Sequence, residues 1–146
     1  MTPHSVTDHF GHDHRRLDSL LRQFETLRKG DGPAVESVYT EFKAGLERHI
    51  RWEEEILFPI FEAKTGLRHG GPTEVMRFEH RQIQRLLAEI DGKLARQEPS
   101  LESDVSALLG LLATHNHKEE HILYPAIDGL LSAPEHDAVF AAMQRN

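Results

Sequence analysis

A duplicated pattern of histidine and glutamate constrains the fold of this chain more than any other feature. Two copies of the pattern His … His-x-x-x-Glu occur, and each residue of the second copy follows its counterpart by 66 positions. Four imidazoles and two carboxylates in a symmetric set suit two metal ions with nitrogen and oxygen ligands. The sequence therefore predicts a fold that joins the two copies around one two-metal site. Its candidate ligands are His14, His49, Glu53, His80, His115 and Glu119.

Apolar residues recur at helical spacing along nearly the whole chain. Because the two halves repeat, they should form two similar helical hairpins that bury their apolar stripes against each other. The expected fold is all-α, an up-down-up-down four-helix bundle with a short C-terminal helix. The predicted helices cover about residues 8–29, 34–64, 73–96 and 101–131, with the closing helix at about 134–146.

Several residues predict where these helices begin, bend and end. Thr7 or Asp8 can cap the first helix, and Gly66 should end the second. Pro59 and Pro125 lie inside apparent helices, and proline cannot donate the helical hydrogen bond. We therefore expect each proline to kink its helix or to end it.

The position of the candidate ligands along the helices predicts that they meet. His14 and His49 lie equally far from the first hairpin turn, on opposite sides, so they are level in antiparallel helices. The second hairpin repeats this, which puts all four histidines in one layer near the loop between the second and third helices. Glu53 and Glu119 follow one turn later on the same faces. A carboxylate that faces a core is costly unless it is paired or metal-bound.

Composition bounds the function. The 146 residues suit a single domain over 1–146, with the repeated core at about 8–131. There is no cysteine, which excludes disulfides and thiolate metal sites. A net charge of −7 gives no basic surface for nucleic acid or anionic membrane. Neither a signal peptide nor a membrane span is visible, so the default expectation is a soluble cytoplasmic protein.

Further polar residues admit two interpretations each. Glu54 and Glu120 could be ligands, but a solvated position or a hydrogen bond to a ligand is preferred. Asp13 and Glu79 could hydrogen-bond a ligand imidazole on a neighbouring helix or lie at the surface. The pair His117 and His121 could bind a surface metal ion, although a solvated histidine-rich face is preferred. The loop residue His69 could control access to the site or be solvated. Trp52 and Phe58 are expected to serve packing.

The chain resembles the hemerythrin family, in its broader HHE cation-binding branch, over about residues 8–131. The motifs that carry the resemblance are Asp13-His14, His49-x-x-x-Glu53-Glu54 with Ile56-Leu57-Phe58-Pro59, Glu79-His80, and His115-x-x-x-Glu119-Glu120 with Ile122-Leu123-Tyr124-Pro125. The resemblance implies two iron ions bridged by the two carboxylates and by an oxo or hydroxo group. Zinc and manganese also accept these donors.

The sequence departs from the oxygen-carrying members. Those members carry a His-x-x-x-His pair on the third helix, whereas in this chain the residues four before and four after His80 are Met76 and Gln84. Their fourth helix has His-x-x-x-x-Asp, whereas this chain has His-x-x-x-Glu. Reversible oxygen transport is therefore not expected. The symmetric set is similar to the branch linked to iron–sulfur repair, nitric oxide and peroxide, although these 146 residues contain none of the cysteine that is usual in that branch.

Three functions are consistent with this pattern. The first is a non-haem di-iron protein that binds or reduces dioxygen, nitric oxide or peroxide in sensing, detoxification of oxidative stress or iron-centre repair. The second is a non-redox protein for iron storage or delivery, or for structural zinc. The third is a regulatory protein, for which no residue identifies a protein partner. No catalytic residue is identified, so whether the protein is an enzyme stays open.

Overall fold

Helices make up nearly all of the described chain, residues 5–28, 33–98 and 100–145 of this computed structural model. These residues contain no strand, and none of their helices is both long and apolar enough to cross a membrane. The predicted all-α bundle with a short C-terminal helix is confirmed. The helices are α1 (Val6–Leu27), α2 (Pro33–Trp52), α3 (Phe58–Thr65), α4 (Pro72–Ala95), α5 (Glu102–Lys118), α6 (Tyr124–Leu130) and α7 (Ala133–Gln144).

Two π-helical segments join helices that the sequence predicts as continuous. Glu53–Leu57 connects α2 to α3, and Glu119–Leu123 connects α5 to α6. The amide of Phe58 donates to the carbonyl of Glu53, five residues earlier, and Tyr124 repeats this with Glu119. The wider turn makes room for the proline ring that follows, which would otherwise meet the carbonyl four residues before it.

Of the two effects expected of the prolines, a kink or an end of the helix, the end is contradicted. Neither Pro59 nor Pro125 ends its helix, because each occupies the start of the next α-helical stretch, where the missing amide is tolerated. The disruption is confined to the π-helical turn before the proline. Each segment begins with a candidate ligand, Glu53 or Glu119, and such turns are frequently found at functional sites in proteins.

Helix ends differ from the sequence prediction at one important place. Ser5 caps α1 by accepting a hydrogen bond from the amide of Asp8 at 3.0 Å, so Thr7 and Asp8 lie inside the helix and neither is the cap. Gly66 ends α3 as predicted, with a left-handed φ of 73°. The predicted turn at residues 30–33, Pro99 and the end of the closing helix at residue 146 lie wholly or partly outside the described residues.

Two apolar clusters fill the bundle, one on each side of the histidine layer. The cluster toward the hairpin turns includes Phe24, Phe42 and Ile83, all buried. The other includes Phe10 and Tyr124 and is closed by residues of α7. The candidate ligands therefore occupy the only polar layer that the described core residues enclose between two apolar ones, which shields them from water.

The duplication extends to tertiary contacts that the sequence did not predict. Thr7 Oγ1 donates to Asp128 at 2.6 Å, and Thr73 Oγ1 donates to Glu62 at 2.8 Å, each residue 66 positions from its counterpart. Asp128 also accepts from the amides of Val6 and Thr7, at 2.7 and 3.0 Å. A carboxylate from the end of each hairpin thus holds the start of α1 or of α4, so the two halves assemble with approximate two-fold symmetry.

Candidate metal centre

The structure brings all six candidate ligands together in the centre of the bundle. Two groups of side chains can each hold one ion, with ligand atoms within 4.8 Å of one another. All six side chains are buried, and none is more than 5% exposed. Glu53 and Glu119 belong to both groups, so each carboxylate faces both halves. The first group is His14, His49, Glu53 and Glu119; the second is Glu53, His80, His115 and Glu119.

The imidazole Nε2 atoms point at the two shared carboxylates. In the first group, His14 Nε2 lies 3.2 Å from Glu119 Oε1, and His49 Nε2 lies 3.6 Å from Glu53 Oε2. In the second group, His80 Nε2 lies 3.1 Å from Glu53 Oε1. His115 Nε2 completes the pattern at 3.2 Å from Glu119 Oε2. Four nitrogens and four oxygens therefore converge, two nitrogens on each side of the carboxylate pair.

The other ring nitrogen of every candidate histidine is held by a carboxylate. A partner that accepts from Nδ1–H fixes the tautomer and the ring orientation, and it leaves Nε2 free for a metal ion. Of the two alternatives for Asp13 and Glu79, the structure shows the hydrogen bond to an imidazole, and Glu54 and Glu120 also hydrogen-bond imidazoles, as preferred for them. The Nδ1-to-carboxylate distances are His49–Asp13 2.8 Å, His115–Glu79 2.8 Å, His80–Glu54 2.7 Å and His14–Glu120 2.7 Å.

The electrostatics of the centre favour positive charge. Burial alone would lower the pKa of His49, but the charge of Glu53 and the hydrogen bond to Asp13 raise it to about 10. Burial likewise lowers the pKa of His80, while the nearby carboxylates of Glu53 and Glu54 raise it to about 9. Burial alone would raise the pKa of Glu53, yet His49 holds it well below its ordinary value. A cation that enters this centre must therefore displace protons from imidazole.

Among the candidate ligands, three buried polar atoms make no well-aligned hydrogen bond within the described ranges of the chain. They are Glu53 Oε1, His80 Nε2 and Glu119 Oε2, and all three face the second ligand group. A buried polar group without a partner costs about 1–3 kcal/mol, which a coordinated cation would offset. Imidazole nitrogens and carboxylate oxygens suit iron, zinc and manganese. The residues present therefore fit the predicted two-metal centre.

Tyr124 is a residue of the centre that sequence reasoning did not single out. Its Oη donates to Glu53 Oε2 at 2.5 Å and lies 3.0 Å from Glu119 Oε1. The same oxygen lies 3.2 Å from the Nε2 atoms of both His14 and His49. Burial and the charges of Glu119 and Glu53 raise the pKa of Tyr124 well above its ordinary value. The hydroxyl therefore keeps its proton and acts as a hydrogen-bond donor to the carboxylates.

The sequence held one signal for this residue. Tyr124 stands where the first copy of the repeat has Phe58, in an otherwise matching motif. The expected packing role of Phe58 agrees with its position, since its ring stacks on the His80 imidazole with centroids 5.8 Å apart. The hydroxyl of Tyr124, which the first copy of the repeat lacks, was the sequence difference that could have identified this residue as part of the centre.

A small cavity adjoins the four histidines on the side of the hairpin turns. Its walls are largely apolar, which limits the water that can reach the centre. Asp18 of α1 and Asn116 of α5 are its only polar lining residues apart from the candidate ligands. The apolar lining residues are Leu17, Leu46, Ile50, Ile83 and Leu112.

The other histidines that the sequence singled out lie away from the centre. His117 and His121 are exposed neighbours with ring centroids 4.2 Å apart. No third metal-ligating side chain joins them among the described residues, which favours the solvated histidine-rich face. His69 is exposed in its loop, with Nδ1 3.4 Å from Glu74 Oε2, and does not line the cavity.

The hydrogen bond from His80 to Glu54 leads to a testable prediction. In Glu54→Gln the partner loses its charge, so the imidazole becomes a weaker ligand and is oriented less firmly. We expect metal affinity to fall about 10–100-fold. Competition against a chelator of known affinity measures the change. Glu55→Gln is the matched control, since Glu55 is exposed in the same π-helical segment, and an unchanged affinity in Glu54→Gln would contradict the role of this bond.

Comparison with known proteins agrees with this geometry. The family described as Hemerythrin HHE cation binding domain matches residues 5–127. A protein named Iron-sulfur cluster repair protein YtfE, from Edwardsiella ictaluri (strain 93-146), is 29% identical over 114 residues, which cover 72% of this chain and 52% of that protein. The protein of the same name from Escherichia coli O157:H7 is 25% identical over 137 residues, covering 84% and 62%. No solved structure matches the chain.

Proposed function

Because the chain belongs to the hemerythrin HHE cation-binding family, we propose that it is a non-haem di-iron protein. In this proposal His14 and His49 would hold one ion, His80 and His115 would hold the other, and Glu53 and Glu119 would be shared between them. The iron pair, when bound, supplies reversible two-electron chemistry toward dioxygen, nitric oxide or peroxide. That the six side chains are the ligands, and that the metal is iron, is part of the proposal.

One observation carries the proposal, namely two ligand groups that share both of their carboxylates. Carboxylates that face two ions can bridge them at about 3.5–4 Å, as in other two-metal sites. A core that needed only neutral packing would not retain two buried carboxylates at 0% exposure. Glu53 Oε1, His80 Nε2 and Glu119 Oε2 add support, since none of them makes a well-aligned hydrogen bond among the described residues and a bound cation would satisfy each of them.

The residues around the centre define what the site can accept. Leu17, Leu46 and Ile83 line the adjoining cavity, so a small neutral molecule enters it without losing strong hydration. Asp18 and Asn116 are the polar groups that can orient such a molecule or hold a proton beside it. The site therefore suits a diatomic molecule or a peroxide better than a large or highly charged substrate.

The relatives suggest a biological use for this chemistry. Their printed name is that of iron–sulfur cluster repair proteins, and the chain spans between 52% and 62% of the length of the two quoted above. We propose that this domain contributes to the same class of task, the handling of damaged iron centres. Its location in the cytoplasm stays the expectation drawn from the sequence.

Metal loading with an optical spectrum tests the function. The purified protein should take up two ferrous ions per chain anaerobically, and exposure to air should give the near-ultraviolet and visible bands of a bridged diferric pair. Azide, peroxide or nitric oxide should shift those bands if the cavity admits them. Peroxide disproportionation measured alongside shows whether the protein turns over.

The same experiment separates the alternative function. A colourless protein with stoichiometric zinc, whose spectrum ignores all three small molecules, would contradict the redox proposal. That result would favour the non-redox alternative, with iron storage, delivery or structural zinc as the use of the same ligands. His117→Ala/His121→Ala is the control, because loss of the exposed pair should leave the metal content of the buried centre unchanged.

A further inference from the structure

The two halves of the centre offer the same kinds of donor atom except at one position. Each half has two histidines, a carboxylate on each Nδ1 atom and a share of both central glutamates. Tyr124 faces the first half, whereas its counterpart Phe58 faces the second, and both side chains are fully buried. The otherwise symmetric ligand set therefore has one additional oxygen atom, Tyr124 Oη, and it lies beside the first half only.

The position of that oxygen matches a ligand of the first ion. Tyr124 Oη lies between 2.5 and 3.2 Å from one atom of each of the four side chains in the first group. Two ligands at right angles on an ion with bonds of about 2.1 Å lie about 3 Å apart. His14 Nε2 and Glu119 Oε1 already show that separation, at 3.2 Å. The hydroxyl therefore occupies the place of a fifth donor beside the other four.

The second half shows what the missing oxygen leaves behind. The Phe58 ring covers His80 face to face, with an angle of 8° between the planes, and offers no donor or acceptor. The candidate-ligand atoms that make no well-aligned hydrogen bond in the described chain, Glu53 Oε1, His80 Nε2 and Glu119 Oε2, all belong to this half. In the first half, the corresponding atoms of Glu53 and Glu119 are hydrogen-bonded to Tyr124.

We propose that Tyr124 is a seventh protein ligand, bound through its phenolate oxygen to the ion held by His14 and His49. The proposal rests on the metal centre of the proposed function. When the ion binds, the phenolic O–H bond breaks, the proton passes to solvent, and the freed electron pair of the oxygen forms the bond to the ion. The two ions are then inequivalent, and the ion held by His80 and His115 has more positions open to a small oxidant.

Tyrosine bound to ferric iron has a direct spectroscopic signature, and this chain makes its assignment simple. Tyr39 and Tyr124 are the only tyrosines in the sequence. Tyr39 lies in the apolar cluster toward the hairpin turns, with its hydroxyl 2.7 Å from Asp91. The experiment loads the wild-type protein, Tyr124→Phe and Tyr39→Phe with iron, oxidises them, and records metal content, visible absorption and resonance Raman spectra.

We expect a phenolate-to-iron charge-transfer band and tyrosine ring modes in the wild type and in Tyr39→Phe. Both signals should be lost in Tyr124→Phe while iron remains bound, because the six other ligands are intact. Phe58→Tyr in the Tyr124→Phe background should restore the tyrosine ring modes by placing a phenol in the other half. Circular dichroism confirms that each variant is folded.

The outcomes that overturn the inference are distinct from those that overturn the metal centre. Two bound ions without any phenolate signal in the wild type would show that Tyr124 only hydrogen-bonds the carboxylates, and the metal centre would stand. A phenolate signal that survives Tyr124→Phe would also refute the assignment. A wild-type protein that takes up no iron would overturn the proposed function and this inference together.

Discussion

Replacing Glu53 and Glu119 together with glutamine is expected to abolish metal binding at both positions. Each ligand group loses two of its four side-chain donors, because the two carboxylates are shared. The neutral amides also remove the negative charge that raises the pKa of His49 and His80 and that attracts a cation. Loss of partners that only orient a ligand already costs about 10–100-fold in affinity, so we expect a larger loss here. Single Glu53→Ala or Glu119→Ala changes should lose most of the metal.

Metal analysis after gel filtration measures this effect directly. The matched control is Glu47→Gln/Glu55→Gln, which also removes two negative charges, but from exposed positions of α2 and of the π-helical segment that follows it. Its metal content should equal that of the wild type. Two ions retained in the Glu53→Gln/Glu119→Gln protein would show that the ligands lie elsewhere, and the assignment of the centre would have to be abandoned.

Phe24→Ala is expected to destabilise the protein strongly and to leave the centre intact. Phe24 is fully buried in the apolar cluster toward the hairpin turns, where its ring lies 5.1 Å from that of Tyr39. Truncation of a buried phenylalanine leaves a cavity and costs about 3–5 kcal/mol. The site lies ten residues along α1 at His14, about 15 Å away on the helix rise, so the ligand geometry should survive in the folded variant.

Chemical denaturation of the metal-free protein gives the free energy of unfolding. Phe78→Ala is the control, because Phe78 is 60% exposed and surface changes usually stay within about 0.5 kcal/mol. Iron content at low denaturant should match the wild type in both variants. A loss below about 1 kcal/mol in Phe24→Ala would mean that the cluster is packed differently from the arrangement described above.

Much of the fold could be predicted because local and long-range patterns agree. Apolar periodicity marked the helices, and the 66-residue repeat related the two hairpins. Antiparallel geometry then placed His14 and His49 at one height, a relation that depends only on distance from the turn. Glu53 and Glu119 on the apolar stripes predicted a buried partner, because burial of a carboxylate is costly without one. These arguments need no knowledge of side-chain conformation.

Other features depend on contacts that sequence spacing does not contain. The start of α1 is capped by Ser5 and held by Asp128, a carboxylate more than 120 residues away. Whether Glu54 and Glu120 point at the centre or at an imidazole depends on how each helix is rotated about its axis. The π-helical turns change that rotation. Tyr124 was overlooked because phenylalanine and tyrosine suit the same apolar stripe, and only the folded chain shows where the hydroxyl points.

The wide turn before Pro125 also sets the helical phase of the residues that follow it. In a regular α-helix, residues five apart differ by about 140° in direction, so Tyr124 would point away from the side that bears Glu119. A turn closed by a bond from residue 124 to residue 119 brings the two back to the same side. Pro125 contacts none of the candidate ligands in the contacts described above, yet it helps to aim a phenol ring into the centre. The matching turn before Pro59 aims Phe58 at the other half, so two equivalent turns deliver a phenol to one half of the duplicated bundle and a plain phenyl ring to the other.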